Sequence, residues 1–231
     1  MTNGFNTPHN WSIPDSISFS LLGMGDHTHL LNPAELACIC SAAPKRRREF
    51  STARYAIRQI IDNWGIPAHP VPTGQDGQPI WTKPVHGSIS HTRDLCWVAL
   101  THDPHIRSIG IDIERRERMH PGLWDRITTP AEQSRLRSGQ LPSGISSDDV
   151  HSIIFSAKEA FFKCQYPLTS RWLGFKDVEL SISIESNSAA AFIINGQPLP
   201  TGGLTLSGHF MITEQHIFSI FLLCSAMESS R

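Results

Sequence analysis

Ile109-Gly110-Ile111-Asp112-Ile113-Glu114 alternates bulky apolar residues with small or acidic ones. Side chains on a strand alternate between its faces, so the three isoleucines share one face while Gly110, Asp112 and Glu114 share the other. Residues two apart on a strand are separated by roughly 6 to 7 Å, close enough for two carboxylates to converge on one hard cation. Gly110 leaves room beside them. The hexapeptide fits a metal-binding strand and equally a strand end with two solvated acids, and the rest of the chain has to decide between them.

The chain has 231 residues, 39% of them hydrophobic and 18% charged, enough to bury a substantial core and not a composition for global disorder. A formal net charge of -1 predicts no general attraction to nucleic acid or to an anionic membrane, so any anion site must be local. Cys38, Cys40, Cys96, Cys164 and Cys224 form an odd set without a Cys-x-x-Cys pair, which argues against a disulfide framework and a structural zinc site. They read as reduced, mostly buried thiols. No signal-peptide pattern and no membrane-length apolar run is present, so a cytoplasmic protein without stable membrane insertion is expected.

Residues 1 to 20 read as an extended lead-in, and Asp26-His27-Thr28-His29 as surface strand or loop in preference to a metal site. Asn32-Pro33-Ala34-Glu35 starts a helix, with a capping residue, proline in the first turn and an acid near the positive helix end. Pro44 opens a longer helix, whose Phe50, Ala53, Ile57, Ile60, Ile61 and Trp64 recur at three and four before Gly65 and Pro67 end it. Arg46, Arg47, Arg54 and Arg58 lie near one stripe of that helix. A phosphate-rich ligand, a solvated basic face and a nucleic-acid contact all fit such a stripe.

Residues 65 to 87 are rich in Pro and Gly, with a turn at Asp76-Gly77, and predict a surface loop or loose hairpin. Gly87 to Thr92 and Leu95 to Leu100 read as antiparallel partners. Ser108 to Glu114 is expected as a third strand of the same small sheet, making Ser90 and His91 neighbours of Asp112 and Glu114. Arg115 to Arg118 reads as a solvated exit from that sheet, Pro130-Ala131-Glu132 as a helix start and Ser138 to Asp149 as a mobile surface loop.

Residues 151 to 163 are helical in period, with Glu159 and Lys163 four apart among aromatics. Strands follow at 178 to 184, 191 to 194, 203 to 211 and 217 to 224, with a hairpin turn at Asn195-Gly196. The fold class is α+β, helix plus sheet twice, although no internal sequence repeat is detectable.

Gly-Ser-Ile-Ser-His-Thr at 87–92, Gly-Ile-Asp-Ile-Glu at 110–114 and Phe-Ser-Ala-Lys-Glu-Ala-Phe-Phe-Lys at 155–163 resemble, in order and spacing, the signature of the 4'-phosphopantetheinyl transferases. Upstream, Lys45-Arg46-Arg47-Arg48-Glu49-Phe50 with Arg54 resembles the longer single-chain branch of the enterobactin synthase component D type. That resemblance implies two similar α/β halves in a pseudo-twofold arrangement, each a small mainly antiparallel sheet packed with a long helix. Residues 1–114 would hold the coenzyme A-binding helix and first sheet, and residues 115–231 the catalytic helix and second sheet.

The implied reaction transfers 4'-phosphopantetheine from coenzyme A to a serine of an apo acyl, peptidyl or aryl carrier protein, leaving adenosine 3',5'-bisphosphate. By the same likeness Asp112, Glu114 and Glu159 are expected to hold magnesium. Arg46 and Arg54 are expected at the 3'-phosphate, Ser90 and His91 along the nucleotide phosphates, and Lys158 and Lys163 at the pyrophosphate. Glu159, Lys163 and His91 are the expected catalytic groups, in a monomer without a nucleic-acid partner.

The chain departs from the family pattern at Ile113, which adds no third carboxylate, and at Phe155, where relatives often have Trp. Thr73 and Gln78 also stand where relatives often place a basic residue. A magnesium-dependent nucleotide or pyrophosphate hydrolase and a non-enzymatic RNA-binding or polyanion-binding module are the alternatives. Which carrier is used, siderophore, peptide, polyketide or fatty-acid, is not written in any residue.

Overall fold

The computed structural model describes residues 11, 13–116, 121–138, 145–183, 186–193, 199 and 204–225. They fall into two compact units, one containing Ile13–Pro104, the other His105–Arg231 and the segment around Trp11.

In the first unit β1 (Ser18–Gly23), β2 (His86–His91) and β3 (Leu95–Thr101) form an antiparallel sheet in the order β1-β3-β2. Two helices accompany it, α1 (Pro33–Ala37) and α2 (Pro44–Trp64). The apolar stripe of α2, with Ala53, Ala56, Ile57, Ile60 and Ile61, packs in one core with Cys96, Val98 and Leu100 of β3. Gly65, at φ 68°, closes α2 in a left-handed conformation that costs glycine nothing. The expected loop follows, pinched by a bridge between Thr73 and Pro79.

In the second unit β4 (Ile106–Arg115) leads into α3 (Trp124–Ile127), α4 (Pro130–Arg137) and α5 (Ser147–Thr169). Four more strands follow: β5 (Val178–Ser183), β6 (Ser188–Ile193), β7 (Leu204–Ile212) and β8 (His216–Ser225). The sheet is antiparallel in the order β4-β8-β7-β6-β5. Ile153, Ala157, Phe161 and Cys164 of α5 share a core with Phe210, Ile217, Phe221 and Leu223, and Phe161 meets Phe221 edge to face at 5.6 Å.

Four expectations are corrected here. Ser18–Gly23 is a strand and not part of a lead-in, and it occupies the second edge of β3. With β1 on one side of β3 and β2 on the other, no edge of β3 remains for β4, which pairs with β8 instead. Ser90-His91 and Asp112-Glu114 therefore belong to different sheets, and the units divide between Pro104 and His105, not after Glu114. Finally, part of the expected 138–149 loop is helix: Ser146 caps α5, accepting from the Asp149 backbone N–H. Residues 139–144, Ile184, Ile194, Gly203 and the Asn195-Gly196 turn lie outside the described residues.

None of the five cysteines is in a disulfide, but only Cys96 and Cys164 are buried, their thiols pushed up to about 12 by desolvation; Cys38 and Cys40 are exposed.

A shared plan emerges that the residues alone do not advertise. Each unit opens on a strand, passes through a short proline-started helix to a long helix, and ends in a hairpin whose last strand pairs with the first, giving β1-β3-β2 in one and β4-β8-β7 in the other; the second adds α3 before its proline-started helix and β5 and β6 before its hairpin.

Candidate active site

The acidic face of β4 is covered by α5, and Gly110 decides how closely. A Cβ at Gly110 would lie 1.9 Å from the Ala160 carbonyl oxygen and 2.3 Å from the Cys164 backbone nitrogen. The room beside the two acids is thus filled by helix backbone. Ser108 adds a tie, its hydroxyl donating to the Cys164 carbonyl at 2.6 Å. This contact brings residues 159 to 163 of the helix alongside Asp112.

Asp112 is buried, 3% exposed, opposite Ser219 of β8. The Lys163 ammonium donates to its Oδ1 at 2.8 Å. Burial raises the proton affinity of Glu159 above the usual carboxylate range; the Lys163 charge opposes that rise and the Asp112 charge adds to it. Asp112, Glu159 and Lys163, drawn from a strand and a helix, are therefore an interacting set. Glu114 shares the β4 face of Asp112, opposite Ile217, and is partly buried. Among the described residues no group of three or more His, Cys, Asp or Glu side chains is arranged to hold a metal ion.

Lys158 is placed otherwise than expected. Its ammonium is buried and donates to the Ile127 carbonyl, the Glu132 carboxylate and the Phe175 carbonyl, each at 2.8 Å. An ammonium has three N–H donors, and all three are committed inside the protein. In this structure Lys158 is an anchor and not a group facing a pyrophosphate. Phe155, one turn earlier, stacks on Phe175 at 5.3 Å, a packing contact.

In the first unit Arg54 is buried, with its guanidinium 3.9 Å from the Phe50 ring centroid and its Nε donating to the Val71 carbonyl at 2.6 Å. Burial pulls Arg54 down to about 10, Glu35 opposing and Arg46 adding to the fall, so it remains cationic at neutral pH. Arg58, from the same expected stripe, instead pairs with buried Glu35 and the Leu30 carbonyl. Arg46 is half exposed. Glu49, which sequence reasoning missed as a site residue, approaches Lys45 at 3.6 Å, Arg46 at 3.8 Å and His91 at 3.7 Å. Ser90 is buried on β2 beside His91. The first unit thus gathers cationic groups, and the second gathers carboxylates around a lysine.

Two further acids were legible only as helix starts. Glu35 and Glu132 each close a capping box, with Asn32 and Thr129 respectively, and each is buried. The repeated Pro-Ala-Glu after a capping residue was the available signal. Arg116, expected to be solvated, grips Asp149 through Nε at 2.6 Å and Nη2 at 3.1 Å.

Family models agree with this layout. One described as the 4'-phosphopantetheinyl transferase N-terminal domain matches residues 34–101, and one for the 4'-phosphopantetheinyl transferase superfamily matches residues 108–209. The chain is 32% identical to the 4'-phosphopantetheinyl transferase Npt of Nocardia iowensis, over 81% of this chain and 87% of the relative. It is 32% identical to the 4'-phosphopantetheinyl transferase PptT of Mycobacterium tuberculosis, over 81% and 80%. Enterobactin synthase component D of Escherichia coli is 33% identical over 60% of this chain and 63% of that protein.

Proposed function

This chain belongs to the 4'-phosphopantetheinyl transferase superfamily, and we propose that it moves the 4'-phosphopantetheine arm of coenzyme A onto a serine hydroxyl of an apo acyl, peptidyl or aryl carrier protein. The serine Oγ–P bond forms as the pyrophosphate P–O bond breaks, and adenosine 3',5'-bisphosphate leaves. The observation carrying this reading is the buried Asp112 bonded to Lys163 beside a Glu159 of raised proton affinity.

Transfer to a hydroxyl needs a base for the attacking oxygen and positive charge for the departing phosphate. Glu159, one helical turn from Lys163 on the helix that packs against Asp112, suits the base. Lys163, held by Asp112, suits the departing phosphate. Arg54, desolvated yet cationic, and Arg46 suit the 3'-phosphate of coenzyme A, with Ser90 and His91 along its other phosphates.

Asp112 and Glu159, whose charges repel, with Glu114 on the same strand face, are the carboxylates that would hold magnesium in this reading; in this structure the three are not gathered into one group, and Lys163 holds Oδ1 of Asp112. Bound there, the ion would supply charge neutralisation to the pyrophosphate. In the same proposal the protein is a cytoplasmic monomer without a nucleic-acid partner, the last supported by a net charge of -1.

Incubation with coenzyme A, magnesium and a panel of apo carriers, read by intact mass of the carrier, tests this. One added phosphopantetheine arm is expected, formed at least about a hundredfold more slowly by Glu159→Gln. Nucleotide breakdown with no modified carrier would replace the transferase by a hydrolase. Neither product would sink both enzymes.

A further inference from the structure

Resting on that reading, in which Glu159 and Lys163 carry the chemistry, we infer that the buried Glu132–Lys158 ion pair sets the position of α5 and that Lys158 is a positioning residue. It acts through Glu132 and touches no phosphate.

The pair is fully built. Glu132 Oε2 accepts from Lys158 at 2.8 Å and from the Thr129 backbone N–H at 2.7 Å, while Oε1 accepts from the Leu180 backbone N–H at 2.7 Å. The remaining two donors of Lys158 reach Ile127 and Phe175. One side chain of α5 is thereby tied to the end of α3, the start of α4, the turn before β5 and, through Glu132, β5 itself. Freeing Lys158 to meet a pyrophosphate would strand a buried carboxylate, one buried carbonyl and one half-buried carbonyl, a cost no single phosphate contact offsets. Glu159 is the next residue of the same helix, so a slip of α5 on this frame moves Glu159 and Lys163 against Asp112.

The first unit repeats the device without the chemistry. Glu35, also buried in a proline-started capping box, accepts from Arg58 of the long helix and from a backbone N–H of a later segment, Val71, at 3.1 Å. The residue after Arg58 is Gln59, and Asn63 stands where α5 has Lys163. A clamp kept where neither Glu159 nor Lys163 has a charged counterpart is a clamp for the helix.

Steady-state kinetics of Lys158→Met, Glu132→Gln and the double variant test this. Each single variant is expected to lose about a hundredfold in kcat with the KM for coenzyme A within about twofold of wild type. The double variant, which removes both buried charges together, is expected to recover at least about tenfold over either single one. A KM raised about tenfold in Lys158→Met, with Glu132→Gln unaffected, overturns the positioning role and restores Lys158 to the phosphates. Should the single variants not fold, the double variant decides by itself: an unchanged KM supports the inference and a raised one overturns it. Absence of transfer by the wild-type protein would instead overturn the functional reading.

Discussion

Set side by side, α2 and α5 bury matching positions one hundred residues apart: Phe50 and Val150, Ile57 and Ala157, Ile60 and Ala160, Ile61 and Phe161. A buried acid stands in the first turns of each, Glu49 and Asp149. Their cations Arg58 and Lys158 both pair with the buried glutamate of a preceding capping box. The helices differ elsewhere. Where α5 carries Glu159 and Lys163, α2 carries Gln59 and Asn63, and where α2 buries Arg54, α5 buries Ile154. A helix frame and its chemistry are therefore separable: packing uses one stripe, and a few substitutions beside it assign one copy to gather cations and the other to gather acids.

The sharpest way to break the comparison is to cut both clamps. Glu132→Ala is expected to cost about 3 to 5 kcal/mol, because it leaves the Lys158 ammonium buried without its carboxylate. Glu35→Ala should cost about 2 kcal/mol, since the Arg58 side chain is 23% exposed against 2% for Lys158 and can turn toward water. Urea unfolding midpoints measure both, and equal losses would remove the distinction between the clamps.

A second contrast concerns backbone approach. Gly110→Ala must push β4 away from α5 and is expected to cost about 2 to 3 kcal/mol, with transfer slowed at least tenfold, roughly the scale of a displaced reacting group. Gly23→Ala in β1 meets nothing within 4 Å of the new Cβ and should stay within about 0.5 kcal/mol of wild type. If both are silent in unfolding and turnover, Gly110 does not set the helix-to-strand distance.

The smallest effect is acid sensitivity. The Arg116 guanidinium, with the Ser146 N-cap bonds, holds the Asp149 carboxyl down to about 2, below its ordinary 3.8. A carboxyl depressed by folding contributes stability that is present above the unfolded value and lost as pH falls toward the folded one. Asp149→Asn should therefore flatten the loss of stability between pH about 4 and about 2 by about 1 kcal/mol, the scale of a partly screened ion pair. Urea midpoints at several pH values read this. An unchanged acid limb would mean that the Arg116 pair contributes nothing.

Much of this was legible along the chain. The start of α2 at Pro44 and its end before Gly65, the β2-β3 hairpin, the shared face of Asp112 and Glu114 and the order of the three motifs are all local, encoded within a few residues by periodicity, capping and turn chemistry. Strand β1 was missed because Ser18–Gly23 has no strict alternation, and it took the edge expected for β4. Arg116 and Lys158 were misplaced for a related reason: a cation reads as solvated or ligand-facing until its buried acid is found, here 33 and 26 residues away.

By itself, then, the sequence determined which residue types are available, on which face of which element, and the family they belong to. Only the tertiary structure decided their company. It sent Lys163 to Asp112 across 51 residues, locked Lys158 inside, and gave β4 to the second sheet. Whether a charge serves chemistry or architecture depends on the partners and desolvation it meets when distant segments pack, and neither is a property of its neighbours in the chain.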